Sequence, residues 1–250
     1  VARDVTRLDR LGVDSGFVVV FPDGTGLLPE KSLTWNSGSV DVYASRNDVD
    51  DVDFCKAVVA EIQRRVAIDP TRVFVTGHSN GGMMCHRLAR EAADVFQGIA
   101  PVAAAMNFSA AQSDVPMPVL MVHGTDDEIV PMRGGVGAEA SGRKARQDVS
   151  MQQAIDYYVA RNTLLAYPDV TARGGVEVQR FSRKKGDGAA PPVWVVTLDG
   201  GSHAWPGAHV RPRELQQQPF GWPASQAIVE FFASVGTGSL QEQLTPSVPR

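Results

Sequence analysis

The stretch from Arg72 to Met84, Arg-Val-Phe-Val-Thr-Gly-His-Ser-Asn-Gly-Gly-Met-Met, constrains the fold of this chain more than any other. Val73 to Val75 form a β-branched and aromatic run after the turn signal Asp69-Pro70, which predicts a short strand. Behind the serine, Met83, Met84, Leu88 and Ala89 recur at helical spacing. Between the two lies G-x-S-x-G, Gly77 to Gly81, a strand turning sharply into a helix with Ser79 at the bend. Such a turn must hold the serine Oγ out at the carboxyl edge of a sheet, and side chains two positions to either side are expected to clash. The pattern by itself also fits a glycine-rich turn with a solvated serine, so its surroundings must decide.

Those surroundings repeat the alternation of strand and helix, which predicts an α/β fold with a mostly parallel sheet and helices on both faces. A short helix is expected over 2–11, with Val5, Leu8 and Leu11 on one stripe, followed by a strand from Phe17 to Phe21. Asp50 or Asp51 caps a helix whose buried stripe is Val52, Cys55, Val59, Ile62 and Val66. After the strand at 72–76 and the helix from Gly81 come a weaker strand near Ile99 to Ala103 and a strand from Val119 to Val122. A helix from Met151 to Arg161, a strand from Val193 to Thr197 and a last helix from near Pro223, with Ile228, Phe231 and Phe232 inward, complete the pattern. The Gly-rich, basic stretch Met132 to Asp148 reads as a mobile loop, and Arg183-Lys184-Lys185 as a solvated hairpin loop. The organisation expected is one domain over 1–235 and a flexible tail over 236–250.

Composition excludes several classes of function. A net charge of -4 and an apolar share of 43% give no bias towards nucleic acid or an anionic membrane surface. No apolar run reaches the length of a bilayer span, and the chain opens on Val1 without the charged-then-apolar segment of a secretory signal. Cys55 and Cys85 fall on separate predicted helices and are expected to be free buried thiols. Neither belongs to a C-x-x-C pair and no His/Cys spacing resembles a zinc site, so neither a metal nor another cofactor is expected.

A serine hydroxyl becomes a nucleophile when a base takes its proton, and the base needs an acid to fix its tautomer. Five histidines compete for the role. His78 abuts the serine and is expected to point away from it, His86 lies on the following helix, and His123 ends a strand where it can orient the next loop. His203 and His209 remain; His203, in Gly200-Gly-Ser-His-Ala-Trp-Pro-Gly207, directly follows the last apolar strand. For the acid, His123-Gly-Thr-Asp-Asp-Glu128 offers Asp126, Asp127 and Glu128. Periodicity does not choose among them, and a solvated acidic turn or a hard-cation site fits the same residues.

At these residues the chain resembles the α/β-hydrolases related to polyhydroxybutyrate depolymerases and feruloyl or acetylxylan esterases. The resemblance covers most of the chain and rests on Trp35-Asn36 with Gly38, Val49-Asp-Asp-Val52, Asp69-Pro70, Gly77-His-Ser-Asn-Gly-Gly-Met83, His123-Gly-Thr125 with Asp127 and Val130-Pro131, and His203-Ala-Trp-Pro-Gly207. It implies an α/β-hydrolase fold and a triad of Ser79, Asp127 and His203. It also implies an acyl-enzyme route for carboxylic esters, small or polymeric. The backbone N–H of Asn80 is the oxyanion donor implied, its side chain having no required part, and Trp35 and Trp205 are implied to shape the substrate pocket. Relatives of this kind are commonly extracellular.

The chain departs from that pattern in two places. The family has a strand ending in a His-Gly loop upstream of the segment matching Phe17 to Phe21, and this strand supplies a second oxyanion donor and a central place in the sheet. The alignment begins after it, which leaves a gap expected between Phe17–Phe21 and the strand at 72–76, with two ladders of backbone groups to satisfy. Val40 and Asp41 stand where the family carries cysteines. A catalytically inactive fragment or a binding protein of hydrolase fold is therefore the alternative to an esterase, and a peptidase of related fold a weaker third.

Overall fold

The computed structural model describes residues 2–28, 31–38, 40–107, 113–138, 146–183, 188–208 and 220–235. The predicted tail at 236–250, His209 and the lysines of the basic run, Lys184 and Lys185, lie outside the described residues. In chain order the elements begin with helices α1 (Ala2–Thr6), α2 (Leu8–Asp14), α3 (Tyr43–Arg46) and α4 (Asp51–Arg65). Strand β1 (Phe74–His78), helix α5 (Asn80–Glu91) and strands β2 (Gly98–Val102) and β3 (Val119–Gly124) follow, then the short β4 (Gly135–Val136) and β5 (Gln147–Asp148). Helix α6 (Met151–Arg161), strands β6 (Asp169–Arg173), β7 (Val176–Phe181) and β8 (Val193–Leu198), and helix α7 (Ala224–Ser234) complete the described chain.

Six strands form the main sheet in the order β1-β2-β3-β8-β7-β6. β1, β2, β3 and β8 run parallel, and β7 and β6 add an antiparallel extension. Because side chains alternate across a strand, the central strands feed two cores. Ala100, Val102, Leu120, Val122, Val196 and Leu198 meet α7 and Leu8 of α2 on one face. Ile99, Val119, Met121, Val193 and Val195 meet α5 and α6 on the other. Such a doubly covered sheet explains why these strands read as unbroken apolar runs. Phe231 of α7 is fully buried, and truncating it to alanine is expected to cost about 3–5 kcal/mol through lost burial and the cavity left behind.

Local chemistry fixes the helix ends. Ser150 accepts from the Gln153 N–H, and the Gln153 side chain accepts from the Ser150 N–H, a capping box that starts α6 where the sequence predicts. At its other end the buried Asn162 accepts from Met117 N–H and donates to the carbonyls of Met117 and Pro191, tying the helix to the starts of β3 and β8. Of the two candidate caps of α4, Asp50 fills the role by accepting from the Asp53 N–H, while Asp51 is buried and accepts from the Asn36 N–H at 2.6 Å.

Four expectations need correction, and one hairpin is unforeseen. The helix over 2–11 is two helices broken at Arg7, which adopts a left-handed conformation. Phe17 to Phe21 forms no ladder among the described residues. Its period-2 pattern is kept, with Val18 and Val20 outward and Phe17, Val19 and Phe21 against the core, yet a strand also needs a partner at bonding distance. The stripe of α4 is buried only at its start, since Val66 is 44% exposed. The loop from Met132 to Asp148 contains the β4–β5 pair, with 139–145 outside the described residues. The β6–β7 hairpin, turning at Gly174-Gly175 with positive φ at both, is not foreseen at all. β7 and β8 pair antiparallel, and the basic run expected as a hairpin loop falls between them, with 184–187 outside the described residues.

Candidate active site

Ser79 follows the carboxyl end of β1, and its backbone lies at φ 56 and ψ -121. That conformation costs a residue with a side chain about 1–3 kcal/mol and persists only where the surroundings over-determine it. The surroundings are visible. A Cβ on Gly77 would stand 2.5 Å from the backbone of Gly81, so strand and helix close on each other too tightly for any side chain there. The second glycine of the motif behaves otherwise. A Cβ on Gly81 would meet only the Trp35 indole, at 3.8 Å, whereas one on Gly82 would strike the Ala104 Cβ at 2.7 Å. The clash expected at Gly81 thus belongs to Gly82, where α5 packs on the loop after β2.

The candidate acid and base come from the ends of β3 and β8, which are neighbours. A Cβ on Gly124 would fall 2.1 Å from the Gly201 carbonyl, so the absence of a side chain lets the two following loops touch. They are stitched by Thr125 N–H to Leu198 O, Asp126 N–H to Gly201 O and Gly200 N–H to Thr125 Oγ1. On this double loop His203 Nδ1 lies 2.7 Å from Asp127 Oδ2, and His203 Nε2 lies 2.9 Å from Ser79 Oγ. The structure therefore brings together the three side chains singled out in the sequence, from strands β1, β3 and β8, at the carboxyl edge where a doubly wound sheet places its ligands.

Asp127 is chosen over its neighbours by bonding. Its Oδ1 accepts from the N–H groups of Ile129 and Val130, and its Oδ2 faces His203 and, at 3.4 Å, His123 Nε2. Burial alone would raise its pKa; the bonds from His123, His203 and Val130 outweigh it and hold the carboxyl well below the usual range. Asp126 and Glu128 are exposed. His123 Nε2 also lies 2.8 Å from the Val130 carbonyl, so that nitrogen carries the proton, and the ring fixes the loop as its place in the sequence suggests.

The other histidines divide cleanly. His86 is buried and paired with the Tyr158 hydroxyl at 2.9 Å, a core role. His78, expected to point away from Ser79, lies against the site: its ring centroid is 4.9 Å from that of His203. Of the two tryptophans, Trp205 is 4% exposed and donates its indole N–H to Ser225 at 2.9 Å, which holds it in the core. Trp35 is half-buried beside Gly81 and stacks on Phe54 at 6.3 Å.

Asn80 does more than its backbone role implies. As first residue of α5 it has no intrahelical partner for its N–H, which stands beside Ser79 at the positive end of the helix. Its side chain accepts from the Trp35 N–H at 2.7 Å and donates to the Trp35 carbonyl at 3.0 Å. Arg87 donates to the Asn36 carbonyl, and the buried Asp51 accepts from the Asn36 N–H, so the Trp35 loop is clamped against the elbow from two helices. Neither Asp51 nor Arg87 stands out in the sequence as a site residue. Among the described residues no group of three or more His, Cys, Asp or Glu converges as a metal site, and no helix is long and apolar enough to cross a membrane.

The prolyl oligopeptidase family matches residues 10–116. "Putative esterase NocK" of Nocardia uniformis subsp. tsuyamanensis is 34% identical over 170 residues, 63% of this chain and 49% of the relative. Feruloyl esterase B of Piromyces equi is 27% identical over 204 residues, 78% of this chain and 35% of the relative. The chain thus spans about half of the first relative's length and about a third of the second's. Among solved structures, an acetyl xylan esterase from Aspergillus awamori superposes with a TM-score of 0.40 at 13% identity, over 61% of this chain and 62% of that one. The sheet order, the strained serine elbow and the esterase relatives agree on an α/β-hydrolase-like fold.

Proposed function

We propose that this protein is a serine esterase that cleaves carboxylic esters through an acyl-enzyme. The observation that carries the reading is the single imidazole of His203 spanning Ser79 Oγ and Asp127 Oδ2 at 2.9 and 2.7 Å. In this reading Asp127 holds the proton on Nδ1, which leaves Nε2 to take the Ser79 proton as Oγ attacks the ester carbonyl. The Asn80 N–H receives the developing oxyanion at the helix terminus. His203 then returns its proton to the leaving alcohol, and water, deprotonated by the same nitrogen, releases the acid.

The half-buried Trp35 stacks on Phe54, and its backbone is clamped by Asn80, the residue after Ser79. Together with relatives named as feruloyl esterases, it supports acyl groups of the plant-wall phenolic or acetyl type over polyhydroxyalkanoates, and with them action outside the cell. The test is hydrolysis of p-nitrophenyl acetate and methyl ferulate by the protein and by Ser79→Ala. We expect turnover that falls about 10,000-fold or more in the variant. The second reading, a non-catalytic hydrolase-fold binding protein, is favoured by one observation: Asn80 supplies the single oxyanion donor identified among the described residues. Absence of Ser79-dependent turnover selects it.

A further inference from the structure

His78 is a half-buried histidine at the site to which the triad reading gives no task. It ends β1 directly before Ser79, so the turn that fixes the nucleophile fixes this ring as well. The ring lies 4.9 Å from His203, tilted by 38°, and meets Trp205 edge-on at 6.4 Å and 75°. Trp205 cannot yield, because it is buried and tethered to Ser225 on α7. The His78 Nε2 is shut off from solvent and has no hydrogen-bond partner. Leaving such a nitrogen unsatisfied costs about 1–3 kcal/mol, and the ring's other tie is a hydrogen bond with the backbone of His203 itself.

We propose that His78 is a positioning residue for the base: packed against both Trp205 and His203, it holds the His203 ring in line with Ser79 and Asp127 and presents a neutral aromatic face to the imidazolium formed during catalysis. The proposal rests on the triad reading above. Three titratable groups bear on His78, namely His203 from the loop after β8, and Asp127 and His123 from the end of β3 and its loop. Burial is the main force on His78 and lowers its pKa to about 3; His203 and His123 push the same way, while Asp127 and the His203 backbone push back. The ring therefore stays neutral through the working range of an imidazole base and adds no repulsive charge when His203 takes the Ser79 proton. A neutral ring face attracts a neighbouring cation. An aliphatic side chain of similar size would fill the space without that attraction.

The experiment compares His78→Leu and His78→Phe with the parent protein, using p-nitrophenyl acetate kinetics across pH and the proton NMR signal of the His203 Nδ1–H. For His78→Leu we expect kcat to drop about tenfold with KM unchanged, since the contact strengthens in the transition state. The acid limb of kcat/KM and the midpoint of the NMR signal should both move to lower pH, because the imidazolium loses its neighbour. His78→Phe keeps a ring face and should restore most of kcat. A leucine variant with the parent's kcat, acid limb and NMR midpoint overturns the proposal, and so does a phenylalanine variant as impaired as leucine. If His78→Leu does not fold, His78→Gln replaces it with the same expectations. Lack of Ser79-dependent turnover in the parent is a different failure, that of the triad reading. The NMR midpoints then still report whether His78 acts on His203.

Discussion

Strand β3, which leads to Asp127, has β2 on one side and β8 on the other, and all six of its residues are buried. Strand β1, which leads to Ser79, pairs with β2 alone among the described residues, and all five of its residues are half-buried. Ser79 N–H and Val73 O point to β2, so the alternate residues Phe74, Thr76 and His78 turn their backbone groups the other way, where no strand lies among the described residues. Asp127 and His203 thus follow strands held by hydrogen-bonded ladders on both flanks. The nucleophile's strand is held from its face instead, by Phe74 stacked on Phe232 of α7 at 4.6 Å and 7° and touched edge-on by Phe17 at 6.2 Å. Precise placement of a side chain does not require a strand paired on both sides; a strained turn and an aromatic stack do the same work at different cost.

The sharpest way to test that contrast is to disable the relay and leave the sheet intact. Asp127→Asn should lower kcat by about 1,000- to 10,000-fold through the wrong tautomer of His203. Asp126→Asn, on an exposed carboxylate, should stay within about twofold of the parent; equal losses would return the acid to open choice. Next comes stability. Leu120→Ala in β3 should cost about 2–5 kcal/mol, and Val75→Ala in half-buried β1 about 1 kcal/mol, read from urea midpoints. Matching costs would mean that β1 is as firmly packed as the centre of the sheet.

A smaller effect concerns pH. Burial lowers His86 to about 3 in the fold against an ordinary value of 6.5, so in that window the unfolded chain binds the proton first. Stability is complete above 6.5 and declines as pH falls towards 3, by up to about 1.4 kcal/mol per pH unit. The contribution of Asp127, whose pKa is depressed, is lost only as pH falls below the ordinary carboxylate range. Melting temperatures of the parent and His86→Asn between pH 6.5 and 4 should show a shallower decline in the variant; parallel curves would remove His86 from the account.

What could be read in the sequence was what acts locally. The capping box at Ser150 and the helical stripe of α6 are short-range chemistry, and both ends of that helix match the prediction. The strand expected at Phe17 to Phe21 failed because alternation describes one chain segment, whereas a strand is a relation between two. β6 escaped notice because Asp169 to Arg173 is exposed throughout and carries no apolar period. At the site, the elbow was legible from its glycines, and family resemblance selected Asp127 and His203 where spacing did not. The Asn80 clamp on Trp35 was not legible, since its partners stand 45 positions apart and no local pattern links them.

For anyone re-engineering this cleft, the contact between Gly124 and Gly201 divides the positions that can be varied from those that cannot. At Gly124 the nearest atom is the opposite loop's own backbone, so no rotamer relieves a substitution and the acid and base would part together. At Gly81 a methyl group would rest against the Trp35 indole at an ordinary distance. A library that holds the first glycine constant and opens the second explores the substrate side of the cleft while leaving the proton path in register.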